Sequence, residues 1–115
     1  APDLGLEKTA LYLLVHSGSR GFGNAVLAAV PDGAFSGMHP NADATREYVQ
    51  NHDNALRWAS LNRQIIAERA ADALRADLRV IVDAPHNLLT QYDNGWLHRK
   101  GAACAASGLV PLAGR

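Results

Sequence analysis

Residues 44–76, ATREYVQNHDNALRWASLNRQIIAERAADALRA, carry the strongest structural pattern in this chain. Apolar and small residues such as Tyr48 and Ala59 recur in it every three or four positions, which is the spacing of one helix face. Neither Pro nor Gly interrupts the chain from Asp43 to Val82. The pattern predicts one long helix over residues 44–76, with Asp43 as its N-cap.

Two short apolar segments flank this helix. TALYLLVH at residues 9–16 and LRVIV at residues 78–82 have the length and composition of buried strands. The first segment leads into the glycine-rich run SGSRGFG, and residues 22–30 then predict a short helix that ends at a Pro-Asp-Gly turn. A loop is expected over residues 34–42.

A hairpin is expected near the end of the chain. Asn94-Gly95 lies between two strand-like runs, and Asn-Gly is the preferred pair for a two-residue type I′ turn. This turn predicts three cross-strand pairs: Asp93 with Trp96, Gln91 with His98, and Leu89 with Lys100. In such a register Lys100 lies on one face of the hairpin and Arg99 on the other. Residues 108–112 are a further candidate strand.

Length and composition restrict the class of protein. The 115 residues suit a single domain, and the net charge of +0 gives no general attraction to nucleic acid or membranes. Cys104 is the only cysteine, so no internal disulfide forms, and we interpret it as a small buried apolar residue. The chain contains no run of about eighteen apolar residues and no signal-peptide core. We expect a cytoplasmic protein with no membrane partner.

Two loops carry candidate chemistry. Three glycines and Arg20 follow His16, which suits an anion held by backbone amides and a forked guanidinium. His86 follows the second predicted strand, so the two histidines can meet at a metal ion, although two imidazoles do not complete a metal site. The alternative is structural: glycines that a turn requires, and histidines that belong to turns or the core. Asn62 lies on the apolar stripe of the long helix and needs a hydrogen-bond partner there, whether for packing or for orienting a site.

A serine hydrolase is a more remote alternative. Ser17-x-Ser19-x-Gly21 departs from the nucleophile motif G-x-S-x-G only in its first residue. Asp83 with His86 or His98 would then complete a triad in the usual order.

Four motifs together resemble a known family. HSGSRGFG at residues 16–23, LNRQ at 61–64, PHN at 85–87 and HRKGA at 98–102 occur in the order typical of the RtcB family of RNA-splicing ligases. The runs NHDNALRWASLNR and WLHRKGAACA are most similar to the branch of the family that is encoded beside peptide release factor H.

The resemblance implies an activity. Family members use GTP and Mn²⁺ to join RNA ends that carry a 2′,3′-cyclic phosphate or 3′-phosphate to 5′-hydroxyl ends, through a guanylylated histidine. Their substrates are RNA, such as tRNA halves or broken RNA ends. The roles implied for this chain are manganese binding by His16 and His86, guanine-nucleotide contact by Asn87, RNA-phosphate contact by Arg20 and Lys100, and support of the site by Asn62 and Arg63.

The sequence also departs from the family pattern. The metal-binding D-x-x-C segment with its Asn-His pair, the H-G-A-G-R segment with the guanylylated histidine, and the final lysine motif do not occur in these residues. We therefore expect an α+β internal fragment over residues 1–115, a partial RtcB-like fold with open strand edges. It would have no guanylylated histidine, would not ligate RNA by itself, and would need the remainder of a ligase chain. A noncatalytic module that binds phosphate or RNA is the alternative.

Overall fold

The computed structural model describes residues 6–30, 37–93 and 95–102. These residues form two helices and one antiparallel pair of strands, in the order α1 (Gly21–Ala28), α2 (Asp43–Leu74), β1 (Asn87–Tyr92) and β2 (Gly95–Lys100). The expected α+β class is thus confirmed for the described part of the chain. The Pro-Asp-Gly turn, the candidate strand at 108–112 and Cys104 lie outside the described residues.

The long helix α2 forms as predicted, but its N-terminus differs in detail. Ala42, with an extended backbone, is the N-cap, and Asp43 is the first helical residue, so the predicted N-cap is wrong by one position. Asp43 in the first turn faces the positive end of the helix dipole. The hydroxyl of Thr45 donates a 2.7 Å hydrogen bond to the carbonyl of His39, which fastens this turn to the preceding loop.

Both helices end slightly before the predicted positions. Arg75 adopts a left-handed conformation with φ 52° and terminates α2 after Leu74, where the pattern extended to residue 76. The shorter helix α1 starts one residue early, at Gly21, and ends at Ala28. It packs against α2.

The two predicted buried strands do not form. Residues 9–16 and 78–82 have no strand partner among the described residues, and most of their apolar side chains are exposed. Leu11 is 99% exposed, and Leu14 and Val80 are each 63% exposed. A strand exists only where a neighbouring backbone accepts and donates its hydrogen bonds, so an apolar run without such a neighbour stays an unpaired extended chain.

The hairpin is confirmed, but the predicted register is wrong by two residues. The observed pairs include Gln91 with Trp96, Leu89 with His98 and Asn87 with Lys100. The ladder closes with Tyr92 opposite Gly95, so the turn begins one residue earlier, at Asp93, whose φ is 48°. Aspartate tolerates this left-handed conformation better than most residues, which permits the earlier turn. A shift of two residues keeps every side chain on its face, so Lys100 and Arg99 still point to opposite faces.

Little of the described chain is buried. Its buried residues are Thr45, Ala55 and Ala59, all on α2. Neither described helix is long and apolar enough to cross a membrane. The fold is therefore organised by side chains of α2, which hold the segments that run beside it.

Candidate functional site

The two candidate metal histidines lie side by side. The Nε2 atoms of His16 and His86 are 3.2 Å apart although 70 positions separate the residues in sequence. Their rings meet edge to face, with centroids 5.3 Å apart and an interplanar angle of 72°. The structure thus brings the two histidine loops together, and metal binding by them stays a prediction.

The hairpin adds the candidate nucleotide and phosphate residues to the same place. β1 begins at Asn87, directly after His86, and its partner there on β2 is Lys100. The side-chain Oδ1 of Asn87 accepts a 2.9 Å hydrogen bond from the N–H of Gly101, and the carbonyl of His86 accepts one of 3.0 Å from the N–H of Ala102. The HRKGA segment is therefore tied to the residues around His86.

Asn62 on α2 holds the glycine-rich loop. Its amide nitrogen donates to the hydroxyl of Ser17 at 2.9 Å and to the carbonyl of Gly18 at 3.3 Å. Asn62 is half-buried, so its amide requires a hydrogen-bond partner, and the loop that follows His16 provides it. Asn62 thus orients this loop.

Arg63, the next residue on α2, contacts both histidine segments. One terminal nitrogen donates to the carbonyl of Ser17 at 3.0 Å, and Nε donates to Oδ1 of Asp83 at 2.6 Å. Ser60, one helical turn earlier, donates its hydroxyl to Oδ2 of Asp83 at 2.6 Å. The ion pair is only partly exposed, at 16% for the Arg63 side chain and 36% for that of Asp83.

These contacts act on the charge of Asp83. The hydrogen bond from Arg63 lowers the pKa of the Asp83 carboxyl below its ordinary value, with help from the Ser60 hydroxyl and the positive charge of Arg63. Partial burial opposes this effect and does not outweigh it. Asp83 is therefore a carboxylate at neutral pH.

The residues Ser60 and Asp83 show what motif reasoning missed. No sequence motif points to Ser60, and the motifs suggest Asp83 only as a possible triad acid. Positions 60 and 63 lie three apart on a helix and so share a face, which is the signal that points to a common partner. Both oxygens of Asp83 are engaged by α2, and within the described residues no hydrogen bond joins Ser19 to His86 or His98. The geometry of a serine triad is therefore not formed.

Arg20 lies four residues beyond His16, at the start of α1. It is exposed, it makes no side-chain capping bond, and its backbone has φ 55° and ψ −132°. Contact of Arg20 and Lys100 with RNA phosphates stays a prediction. Among residues 6–30, 37–93 and 95–102, no group of three or more His, Cys, Asp or Glu side chains is placed to hold a metal ion.

Comparison with known proteins defines the class. The family described as tRNA-splicing ligase RtcB matches residues 1–113. This chain belongs to the RtcB family, which confirms the resemblance found in its motifs. No solved structure matches it.

Individual relatives agree with this assignment. RNA-splicing ligase RtcB2 of Escherichia coli is 38% identical over 115 residues, which cover 96% of this chain and 30% of that protein. RNA-splicing ligase RtcB1 of the same species is 30% identical, over 89% of this chain and 32% of that protein. RNA-splicing ligase RtcB of Mycobacterium tuberculosis is 26% identical, over 89% of this chain and 30% of that protein. The chain thus spans about a third of the length of these relatives.

Proposed function

We propose that this chain supplies part of the catalytic centre of a GTP- and Mn²⁺-dependent RNA ligase, which joins 2′,3′-cyclic phosphate or 3′-phosphate ends to 5′-hydroxyl ends. The observation that supports it best is the 3.2 Å separation of the His16 and His86 Nε2 atoms. Two imidazole nitrogens, each about 2.1 Å from one ion and at about 90–110° around it, lie roughly 3.0–3.4 Å apart. The histidine pair therefore fits two adjacent positions of a metal ion.

The remaining site residues receive complementary roles in this proposal. His16 and His86 hold Mn²⁺ together with ligands from elsewhere in the ligase. The bound ion supplies positive charge that stabilises the negative charge on phosphate oxygens. Lys100 and Arg20 hold RNA phosphates. Asn87 uses its Oδ1 for Gly101, which leaves its amide nitrogen to donate to the guanine nucleotide.

The exposed apolar segments support the need for the remainder of the ligase. Residues 9–16 and 78–82 present extended backbone and apolar side chains, which strands from that remainder would pair with and cover. We treat residues 1–115 as one domain of this assembly, acting on broken RNA ends or tRNA halves in the cytoplasm. By themselves these residues do not ligate RNA, because the histidine that carries GMP is not among them.

Metal titration tests the proposal. Isothermal titration calorimetry is expected to show binding of Zn²⁺ or Ni²⁺ that is tighter than binding of Mn²⁺, since imidazole ligands favour the former ions. His16→Ala and His86→Ala should each weaken binding at least about tenfold, because the site then loses one of two described ligands. His39→Ala, at an exposed histidine outside the pair, is the matched control and should change nothing. Tight Mn²⁺ binding that survives His16→Ala would contradict the assignment.

A further inference from the structure

We infer that Asp83 and Arg63 are positioning residues whose ion pair, fastened to α2 by Ser60, sets the distance between His16 and His86. This inference rests on the proposed metal site at the two histidines. It assigns a function to an ion pair that, among the described residues, makes no hydrogen bond to either histidine side chain.

Two sets of contacts hold the histidine segments in place. Neither segment before its histidine has a strand partner among the described residues, but the hairpin holds His86 from the other side, because the His86 carbonyl accepts a hydrogen bond from the N–H of Ala102. Side chains of α2 provide the second set of contacts. Arg63 holds Ser17, the residue after His16, and Asp83, three residues before His86.

The geometry of the Arg63 guanidinium constrains both segments. One Arg63 side chain bonds the two segments at once, through a terminal nitrogen to the Ser17 carbonyl and through Nε to the Asp83 carboxylate. A planar guanidinium holds these two donors at a fixed angle, whereas a lysine ammonium is a single flexible point. The separation of the histidine segments therefore follows from the shape of the Arg63 side chain.

Partial burial and a second hydrogen bond strengthen the contact between Arg63 and Asp83. The Arg63 side chain is 16% exposed, so water and salt screen its charge less than they screen a surface pair. Ser60 bonds the second oxygen of Asp83 and so fixes the rotation of the carboxylate. Asn62 adds two hydrogen bonds to the same loop. Displacing Asp83 would thus release the residues before His86 from α2, while the hairpin kept its bond to the His86 carbonyl and the His16 loop kept its bonds to Asn62.

The first test measures the spacing between His16 and His86 in the protein without metal. Nuclear Overhauser contacts between the ring protons of His16 and His86 should be present in the wild type and lost in Asp83→Asn and Arg63→Lys. Asp43→Asn is the matched control, because it neutralises another carboxylate paired with an α2 arginine, Arg46, at an exposed position. The control should keep the ring contact, and circular dichroism should show equal helix content in all variants.

The second test measures metal affinity in the same variants. Asp83→Asn should weaken Ni²⁺ binding about tenfold, as loss of an outer support of a ligand does, and Asp43→Asn should not. Retention of both the ring contact and the Ni²⁺ affinity in Asp83→Asn would overturn the inference. Loss of the ring contact in Asp83→Asn, with Ni²⁺ binding unaffected by His16→Ala, would confirm the positioning role and reject the metal site.

A milder variant keeps the test decisive if Asp83→Asn does not fold. Ser60→Ala removes one hydrogen bond to Asp83 and no charge. It should weaken the ring contact between His16 and His86 and lower the Ni²⁺ affinity in the same direction. An unchanged ring contact in a folded Ser60→Ala protein would count against the inference.

Discussion

Arg20 combines a charge suited to phosphate with a backbone conformation that suits glycine. Its φ of 55° and ψ of −132° lie in a region that costs a non-glycine residue on the order of 1–3 kcal/mol. Such strain at a residue with no capping bond favours a role for the side chain in binding.

Replacement of Arg20 should weaken RNA binding. Arg20→Ala should weaken binding of single-stranded RNA with a 3′-phosphate and flatten the log–log salt dependence by about 0.7, the value for one phosphate contact. Arg69→Ala, at an exposed arginine of α2, is the control for general loss of charge. Arg20→Gly should weaken RNA binding equally while raising the free energy of unfolding, because glycine relieves the strain. Unchanged affinity and salt slope in Arg20→Ala, with lower thermal stability, would mean that Arg20 has a structural role only.

The contribution of Asp83 to the stability of the fold should depend on pH. The lowered pKa means that the carboxylate stabilises the fold fully above its ordinary value of 3.8, and that this contribution disappears as the pH falls through the lowered pKa. Asp83→Asn should therefore reduce the free energy of unfolding near neutral pH, by less than about 1 kcal/mol because the group is partly solvated. Urea unfolding of the two proteins should converge in strong acid. A difference that stays constant with pH would show that the charge of Asp83 is not the cause.

At the scale of elements, a histidine attaches the hairpin to the long helix. His52 on α2 accepts a 3.2 Å hydrogen bond at Nε2 from the backbone N–H of Leu89 on β1, and its Nδ1 lies 3.2 Å from the carboxylate of Asp53. With Nε2 as acceptor, Nδ1 carries the proton and donates to Asp53. This contact satisfies an N–H on the outer edge of β1 and fixes the hairpin on α2.

The prediction for this contact uses amide exchange. His52→Ala leaves the Leu89 N–H without its partner, which should cost about 1 kcal/mol and speed exchange of that amide about fivefold. The amides of β2, which do not contact His52, serve as the internal control. Exchange of Leu89 at the wild-type rate in a folded variant would contradict the role of His52.

Across the described residues, many large apolar side chains are exposed and not packed into a core. Within the described residues, the buried side chains are small and lie on α2, while leucines of the segment before His16 are exposed. The described chain therefore depends on hydrogen bonds from α2 more than on apolar packing. This is the reason that single polar side chains of α2 are expected to have large effects.

Substitutions at an exposed and at a buried position should change the free energy of unfolding by different amounts. Leu11→Ser should change the free energy of unfolding by less than about 0.5 kcal/mol, because the side chain is 99% exposed. Ala59→Gln, at a position 5% exposed on α2, should destabilise by about 1–3 kcal/mol through overpacking. Urea unfolding measures both. A loss of about 2–5 kcal/mol for Leu11→Ser would instead support the buried strand expected from sequence.

Local patterns explain which elements were predicted correctly. α2 follows from helical periodicity without Pro or Gly, and the hairpin follows from a turn-forming pair between strand-like runs, because both structures are stabilised by residues near in sequence. The register was wrong because Asp93 also accepts a positive φ, so two adjacent turn positions compete. The family and its candidate residues were recognisable because their motifs are short and contiguous.

The way in which the distant motifs meet is a property of the folded chain. The sequence alone was enough to infer the long helix, the hairpin, the glycine-rich loop and membership of the RtcB family. It did not determine that apolar residues 9–16 and 78–82 stay exposed, because burial of a strand depends on a partner that its own residues do not specify. Nor did it show that Arg63 connects Ser17 to Asp83, since such a bond joins positions 20 and 46 residues apart and depends on how the chain is arranged around α2.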